Sequence, residues 1–415
     1  MNDHPGPDSR AAWLRLCATT LLVVIGSSSM YVVSVVLPQI QADFGIDRSS
    51  ASMPYAATMA GLGVGGLVMG RLADRFGVIV PVLIGTIGLG VGYIAAGLAP
   101  GAGGFTLASG LLVGALGASA TFSPLMADAS LWFVRRRGIA VAINAAGLYV
   151  GGALWPPITQ RVVEAFGWRT AYVALGVFCI ATMLPLAMAL RRRPPSFAPA
   201  GDAASAASLA AQARPLGLSP RSLEALLCVA GVACCVAMAM PQVHIVAYCA
   251  DLGFGPARGA EMMSLMLGFG IVSRLLSGWI ADRIGGLRTL MLGSVLQGVA
   301  LLLFLPFDGL VDLYVISALF GLFQGGIVPS YALIVREYFP PSQAGTRVAA
   351  VLTSTMFGMA LGGWMSGALF DLSGSYHAAF VNGLVWNLLN VAIAGFLLRR
   401  AGPRTGRPAV AAAAG

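Results

Sequence analysis

One arginine lies where a charged side chain is costly. Arg274 stands inside the apolar stretch MMSLMLGFGIVSRLLSGWIAD, eight residues before Asp282. On a membrane helix, which rises about 1.5 Å per residue, its guanidinium would lie roughly 12 Å inside the helix end. Burial at that depth costs at least about 2.5–3.5 kcal/mol, so an anion or a water-filled cavity must offset it. No acid lies one turn away, since positions 270, 271, 277 and 278 are Gly, Ile, Ser and Gly.

The guanidinium of Arg274 forms a planar fork, which a carboxylate binds through two parallel hydrogen bonds. We therefore predict that Arg274 binds the carboxylate of a small substrate. The alternative is a structural ion pair with an acid on another helix, such as Asp128.

Two further side chains are candidates for carrying a proton. His244 lies about five residues before the end of an apolar stretch at Cys249. It could titrate near physiological pH, donate a hydrogen bond to a substrate, or bond to a neighbouring carbonyl. Asp128 could bind a proton once buried, but we favour an ion pair with Arg135 or Arg136. His244 and Asp128 are thus the predicted proton-coupling residues, and His244 is also a predicted substrate ligand.

These side chains need a scaffold that crosses a membrane. The 415 residues are 58% hydrophobic and 10% charged, whereas globular domains are roughly a quarter charged. This composition excludes a water-soluble domain, a disordered chain, a secreted disulfide scaffold and, despite the net charge of +9, a nucleic-acid binder. The six cysteines form no CxxC pair, so we expect neither a metal nor a disulfide framework, and we expect no cofactor.

Twelve apolar stretches are long enough to cross a bilayer, which takes about 20 residues. They lie near 14–38, 52–70, 78–99, 105–127, 138–160, 170–190, 223–249, 259–281, 287–306, 311–334, 347–369 and 377–398. The sequence therefore predicts an all-α integral membrane protein with two six-helix bundles. The predicted domains are an N-terminal bundle of residues 1–192, a cytoplasmic linker 193–222, a C-terminal bundle 223–400 and a short tail 401–415.

The basic residues predict the orientation. All 25 are arginines; with both termini inside, the inner segments hold 20 of them and the outer loops hold four. Inner loops carry the excess of positive charge in membrane proteins, so we expect both termini in the cytoplasm. The exclusive use of arginine is typical of a GC-rich, bacterial genome. We therefore expect a multi-pass monomer in the bacterial inner membrane, with the lipid bilayer and a small carboxylate as its partners.

The chain repeats itself. GRLADRFG begins at Gly70 and GWIADRIG begins at Gly278, an offset of 208, and at an offset of 211 Arg136 maps onto Arg347. The pairs Trp168/Tyr376 and Tyr172/Phe380 again differ by 208. Six helices followed by six more that start on the same side give a parallel repeat about an axis normal to the membrane.

The repeated motif G-x-L-A-D-R-x-G resembles the loop signature of the major facilitator superfamily, and the resemblance covers essentially the whole chain. It implies that the motif closes the cytoplasmic side when the cavity faces outward. Asp74 would face the positive end of a helix in the other half, and Arg75 would pair across the interface. The residues that this resemblance and the repeat assign to a cytoplasmic gate are Gly70, Asp74, Arg75, Arg136, Asp282, Arg283 and Arg347.

Three stretches resemble the monocarboxylate porters and the oxalate–formate antiporters. They are SRLLSGWIAD, WFVRRRGIAVAINAAGLYVGGALWPP followed by GWRTAY, and PQVHIVAYCADLGF. In that branch an arginine of the eighth span binds the substrate carboxylate, which Arg274 would do here. The chain departs from the animal porters in having no lysine and in having Gly270 where they have an aspartate. It also lacks the second cation of the oxalate antiporter, so a monoanion suits it better than a dianion.

The family resemblance also implies which spans line the cavity. The polar residues on those spans are Tyr31, Ser34, Thr121, Ser123, Asn144, Tyr149, Gln242, Tyr248, Gln324, Ser330 and Tyr331. Of these we predict Tyr31, Asn144, Gln324 and Tyr331 as substrate ligands beside Arg274 and His244.

The predicted function is secondary active transport of a small monocarboxylate by alternating access, with proton symport. The chain has no GxxxxGK[ST] phosphate loop, so a gradient would drive it. The alternatives are a carboxylate antiporter, a drug or sugar porter of the same superfamily and, as a different class, a transporter-like membrane sensor. An enzyme is not expected, because the polar groups within the spans are few and far apart.

Overall fold

The computed structural model describes residues 8–133, 136–191 and 215–401, except for the side chains of 137, 138, 215, 341 and 342. In this part of the chain twelve helices are long and apolar enough to cross a membrane. They are α1 (Arg10–Phe44), α2 (Arg48–Phe76), α3 (Ile79–Gly97), α4 (Ala102–Leu131), α5 (Ile139–Phe166), α6 (Trp168–Arg191), α7 (Pro220–Asp251), α8 (Pro256–Ile284), α9 (Gly286–Leu303), α10 (Leu310–Tyr338), α11 (Gln343–Ser373) and α12 (Tyr376–Ala401). The predicted all-α fold with twelve spans is confirmed.

The helices pack as two bundles, α1–α6 and α7–α12. The helix α7 begins at Pro220, inside the predicted linker, because the Ser219 hydroxyl accepts a hydrogen bond from the Ser222 N–H at 3.1 Å and so caps the helix. Most of the predicted linker and nearly all of the predicted tail lie outside the described residues, as does Arg135. The domain boundaries therefore stay predictions.

Three helices depart from regular α geometry. A bend at Ser27 divides α1 into two helical segments, and α4 contains a π-helical stretch, Ala108–Ala118. The helix α10 is interrupted at Gly325 and Gly326. Interruptions of this kind are tolerated in a membrane where neighbouring helices satisfy the freed backbone groups.

The two copies of the repeated motif end in the same turn. Gly77 has φ 85° and ψ 164°, and Gly285 has φ 86° and ψ 164°. Each N–H donates a hydrogen bond of 2.8 Å to the carbonyl four residues earlier, at Ala73 and Ala281. A positive φ of this size favours glycine, because a Cβ would clash with the backbone. The duplication seen in the sequence is therefore also a duplication of backbone conformation.

Aromatic clusters mark equivalent places in the two bundles. In the first, Trp168 and Tyr172 contact each other edge to face, with ring centroids 6.0 Å apart. In the second, Phe380 stacks on Phe304 at 4.8 Å. Tyr376 holds the place of Trp168, but it brings a hydroxyl to this position. Aromatic pairs of this kind contribute about 0.5–1.5 kcal/mol beyond the burial of their surface.

The bundles meet at one side of the molecule. We call the side where α1 ends and α2 begins the distal face, and the side where α1 begins and α12 ends the terminal face. Near the distal face α2 packs against α11, and α5 packs against α8 through a hydrogen bond from the Ser264 hydroxyl to the Ala153 carbonyl. Toward the terminal face a Cβ added at Gly66, Gly70 or Gly278 would meet open space. The bundles are thus in contact at the distal face, whereas these three glycines toward the terminal face have no neighbour from the other bundle.

Candidate functional site

Arg274 lies where the two bundles meet. It is half-buried on α8, and its guanidinium carbon lies 5.3 Å from the centre of the Tyr149 ring on α5 of the other bundle. Among the residues that the structure describes, no carboxylate lies within ion-pair distance of Arg274. An aromatic face attracts a cation by only about 0.5–2 kcal/mol, so the guanidinium keeps its capacity for an anion.

Asp128 has a partner of its own, which excludes it as the partner of Arg274. Both of its carboxylate oxygens accept hydrogen bonds of 2.8 Å from Arg15 on α1, from Nε and from Nη2. The guanidinium of Arg15 also lies over the Trp132 ring at 4.6 Å. The favoured pairing with Arg135 or Arg136 is therefore corrected to Arg15, which comes beside the end of α4 because α1 packs there. Removing one partner of such a buried pair costs about 3–5 kcal/mol.

Tyr149 occupies the space of a missing side chain on α8. A Cβ at Gly270, one turn before Arg274, would lie 2.6 Å from two carbons of the Tyr149 ring. The glycine at this position thus allows an aromatic ring of the first bundle to reach the guanidinium of the second. Tyr149 was among the polar residues expected near the cavity but not among the predicted ligands. The signal that could have found it is Gly270 itself, a small residue one turn from a buried charge.

Two more tyrosines of the first bundle lie beside this pair. Tyr31 on α1 lies close enough to Tyr149 and Arg274 to interact with them electrostatically. Tyr55 on α2 is in turn an electrostatic neighbour of Tyr31. Both side chains are buried, and neither hydroxyl has a hydrogen-bond partner among the described residues. One guanidinium of the second bundle thus faces phenol groups of the first.

The other three predicted cavity ligands are buried and hydrogen-bonded elsewhere. Asn144 donates to the Leu125 carbonyl at 2.9 Å, and the Tyr331 hydroxyl donates to Asn390 at 2.8 Å. Gln324 accepts a hydrogen bond of 3.1 Å from Gln242, and its own Nε2 has no partner in the described part of the chain. The structure brings Tyr31 together with Arg274 but does not bring these three to it; their roles as ligands stay predictions.

His244 is fully buried, and both of its ring nitrogens have partners. Nε2 lies 2.8 Å from the Gly363 carbonyl on α11, and Nδ1 lies 3.0 Å from the Tyr376 hydroxyl on α12. Of the three roles open from the sequence, the bond to a neighbouring carbonyl is present. The imidazole belongs to the distal end of the second bundle and does not reach Arg274 through any described contact.

The hydroxyl beside His244 leads to an arginine that sequence reasoning missed. Arg48, the first residue of α2, donates from Nη1 to the Tyr376 hydroxyl at 2.7 Å. Its two Nη atoms also donate to the two carboxylate oxygens of Asp251 on α7, at 3.1 and 3.2 Å. The guanidinium carbon lies 4.5 Å from the centre of the Phe370 ring on α11. A single arginine of the first bundle is thus held by three helices of the second.

The backbone of α2 is held at the same place. The Asp371 carboxylate accepts hydrogen bonds from the N–H groups of Arg48 at 2.9 Å and of Ser49 at 2.8 Å. These are unpaired donors of a helix N-terminus, where a negative charge is stabilising. We call Arg48, Asp251, Asp371 and Tyr376 the distal cluster. In the sequence Arg48 is an ordinary loop arginine, and only the packing of α2 on α11 shows its partners.

The predicted gate acids make no ion pair in the described part of the chain. Asp74 and Asp282 are both exposed at the terminal face. Their neighbours Arg75 and Arg283 lie over aromatic rings of their own helices, at 5.2 Å from Phe76 and 3.5 Å from Trp279. These contacts stay within each bundle, as expected when the terminal face is open.

The remaining gate residues are also held within their own bundles. Arg347 pairs with Glu224 on α7, and the guanidinium carbon of Arg136 lies 6.0 Å from the Trp13 ring. Gly70 has open space in front of its Cα. The predicted latch belongs to a conformation in which the terminal face is closed, so its role stays a prediction.

Comparison with known proteins gives a consistent result. A family model described as "Major Facilitator Superfamily" matches residues 19–312 and 225–414. Monocarboxylate transporter 13 of Rattus norvegicus is 28% identical over 340 residues, which cover 80% of this chain and 75% of that protein.

Solved structures share the fold. A peptide transporter POT in complex with alafosfalin superposes with a TM-score of 0.71 at 16% identity, covering 94% of this chain and 96% of that one. A bacterial homologue of the lysosomal transporter Spinster, described as inward-facing and unoccupied, gives a TM-score of 0.68 at 16% identity, again covering 94% and 96%.

Proposed function

Because the chain belongs to the Major Facilitator Superfamily of transporters, we propose that it moves a small monocarboxylate across the membrane by alternating access. The observation that carries the proposal is Arg274, a half-buried guanidinium between the bundles with no acid beside it in the described part of the chain. A neutral sugar or a cationic drug would leave this charge without a partner, whereas a carboxylate satisfies it. The similarity to a monocarboxylate transporter supports the same cargo.

The arrangement explains how a bound anion would couple to movement. Arg274 comes from the second bundle, and Tyr31 and Tyr149 come from the first. A carboxylate that accepts hydrogen bonds from the guanidinium and from a phenol joins the two bundles. A cargo stabilises a conformation only by binding it more tightly than the alternative, and a ligand that bridges both bundles has this property.

The arginine distribution assigns the two faces. We propose that the terminal face is cytoplasmic in a bacterial inner membrane, because its loops carry the excess of arginine. The conformation described here then faces inward. Both bundles lie in one chain, so a monomer contains the entire pathway.

Substitution of the arginine tests the cargo. We expect Arg274→Lys to lower uptake of radiolabelled monocarboxylates into proteoliposomes by about tenfold or more, because an ammonium cannot reproduce the two parallel hydrogen bonds. Arg288→Lys, an exposed arginine on α9, is the matched control and should transport as the parent does. Undiminished uptake by the Arg274 variant would remove the carboxylate assignment.

Two forms of coupling follow from different observations. Proton symport is the first candidate, as the sequence predicts, although Asp128 is paired with Arg15 and His244 lies away from Arg274. Exchange of one carboxylate for another is the second candidate, and the unpaired Arg274 favours it. When the site is empty, the guanidinium of Arg274 is an unneutralised charge within the membrane, whereas a bound carboxylate neutralises it. A return step with a second carboxylate bound is therefore less costly than a return step with an empty site. An imposed pH gradient should drive uptake in a symporter, and carboxylate loaded inside the vesicles should drive it in an exchanger.

A further inference from the structure

His244 links the interior of the second bundle to the distal cluster. We propose that His244 is the acid-sensing residue beside this cluster: the closed cluster excludes a second proton from its imidazole, so a proton that binds when Arg48 has left stabilises the open distal face. The inference rests on the proposed function, since an opening at this face matters only in a protein that alternates between two faces. It assigns a role to a histidine that lies away from the substrate site.

The hydrogen-bond partners fix where each hydrogen lies. A carbonyl can only accept, so the hydrogen of the bond to Gly363 is on Nε2 of His244. An arginine can only donate, so the Tyr376 oxygen accepts from Arg48. The one hydrogen of the tyrosine hydroxyl is then free to bond to Nδ1 of His244, 3.0 Å away. The closed distal cluster therefore requires a neutral imidazole with its lone pair on Nδ1.

A second proton on the imidazole conflicts with this pattern. An Nδ1–H would point at the Tyr376 oxygen, which already accepts from Arg48, and the hydroxyl hydrogen would lose its acceptor. Two cations would also stand on either side of one hydroxyl, in a region with little water to screen them. Both effects are relieved when Arg48 leaves the cluster and α2 separates from α11 and α12.

Other titratable and charged groups surround His244. The titratable and charged groups near it on the packed elements are Arg48 and Tyr55 from α2, Asp371 from α11, Tyr376 from α12, and Asp251 and Tyr248 from α7 itself. A free aspartate titrates near pH 3.9 and a free imidazole near pH 6.5. A response between about pH 5.5 and 7.5 that is lost in His244→Gln and kept in His377→Gln is therefore assigned to His244.

The burial of His244 determines from which face of the protein its proton arrives. The side chain is 0% exposed while the distal cluster is closed, so a proton reaches it only after the cluster opens. The same proton has to leave toward the distal face before the cluster can close again. His244 thus sets the balance between two conformations and does not carry a proton to the terminal face.

The distance between the bundles at the distal face reports this opening. Spin labels are placed at Gly103→Cys on α4, where a side chain would meet open space, and at Phe307→Cys, an exposed position before α10. The full chain is reconstituted in lipid nanodiscs, with Cys17 and Cys228 replaced by serine, and the distance distribution is recorded by pulsed electron resonance. Lowering the pH from about 7.5 to about 5.5 should increase the longer-distance population, by at most about tenfold per pH unit for a single proton.

Two histidine variants decide the assignment. His244→Gln should show a distance distribution that no longer changes with pH, whereas His377→Gln should respond as the parent does. His377 is a matched control because it is exposed on the first turn of α12 at the same face. An unchanged pH response in His244→Gln, or a shorter distance in acid, would overturn the proposal.

A second variant covers the case in which His244→Gln does not fold. Tyr376→Phe keeps the histidine but removes the hydroxyl that connects it to Arg48. It should also abolish the pH response, and a retained response would count against the proposal. No cargo is present in these measurements, so their outcome is independent of whether Arg274 binds a carboxylate.

Discussion

At the scale of single residues, the site depends on a close approach between Gly270 and Tyr149. The glycine has no side chain where the tyrosine ring lies, and the ring brings its hydroxyl to the neighbourhood of Arg274. Neither residue carries charge, yet together they decide what the guanidinium meets from the other bundle. The absence of a side chain at Gly270, one turn before Arg274, thus allows the Tyr149 ring to contact the guanidinium.

A methyl group at position 270 tests this arrangement. Gly270→Ala should displace the Tyr149 ring and lower carboxylate uptake several-fold, because overpacking of a tight contact costs about 1–3 kcal/mol. Gly268→Ala, two residues earlier on the same helix, should leave uptake unchanged, since a Cβ there would meet open space. Equal uptake by both variants in proteoliposomes would show that the contact with Tyr149 does not matter.

At the scale of helices, closure of the distal face depends on how closely α2 approaches α11. A Cβ at Gly367 would lie 2.8 Å from the Arg48 carbonyl, and one at Gly363 would lie 2.8 Å from the Tyr55 ring. These contacts bring the N-terminus of α2 to Asp371 and the Arg48 side chain to Asp251. Small residues allow such approaches between membrane helices, where association relies on packing and on interhelical hydrogen bonds.

A larger side chain at this contact should hold the distal face open. We expect Gly367→Leu to shift the distal distance distribution between labels at 103 and 307 toward longer values at all pH values. Gly345→Leu lies at the other end of α11, where a side chain would meet open space, and should have no such effect. A short distal distance in the Gly367 variant would mean that helix approach does not limit closure.

At the scale of the whole molecule, the two bundles meet at one face and part at the other. The distal cluster joins α2 to α7, α11 and α12, while Asp74 and Asp282 stand exposed at the terminal face. Equivalent loops of the two halves share their turn geometry, so the repeat itself does not select which face is closed. That selection comes from contacts that the two halves do not share, such as those of Arg48.

The orientation of the molecule is tested by labelling from outside. In intact bacterial cells, an impermeant thiol reagent should modify Gly103→Cys at the distal face but not Gly345→Cys at the terminal face, in a chain with Cys17 replaced by serine. Lysed cells provide the control, since both positions should then react. Labelling of position 345 from outside the cell would reverse the assignment that rests on the arginine distribution.

The sequence alone was sufficient for the class of fold. Apolar stretches of membrane-spanning length define the twelve helices, because a bilayer demands about 20 apolar residues from each. The duplication was readable because turns with positive φ need glycine at Gly77 and Gly285. The free-energy cost of burying the Arg274 guanidinium was also visible, because the position of a residue within an apolar stretch sets its depth in the membrane.

The tertiary structure decided which side chains meet. Asp128 pairs with Arg15 across 113 positions of the chain, and Arg48 pairs with Asp251 across 203, so no local pattern relates either pair. For the same reason Asn144, Gln324 and Tyr331 could be predicted as polar groups within spans but not placed, because a helix fixes the spacing of its own residues and not its rotation against its neighbours. Hydrogen bonds and ion pairs between helices depend on that rotation, and it is set only when all twelve helices pack together.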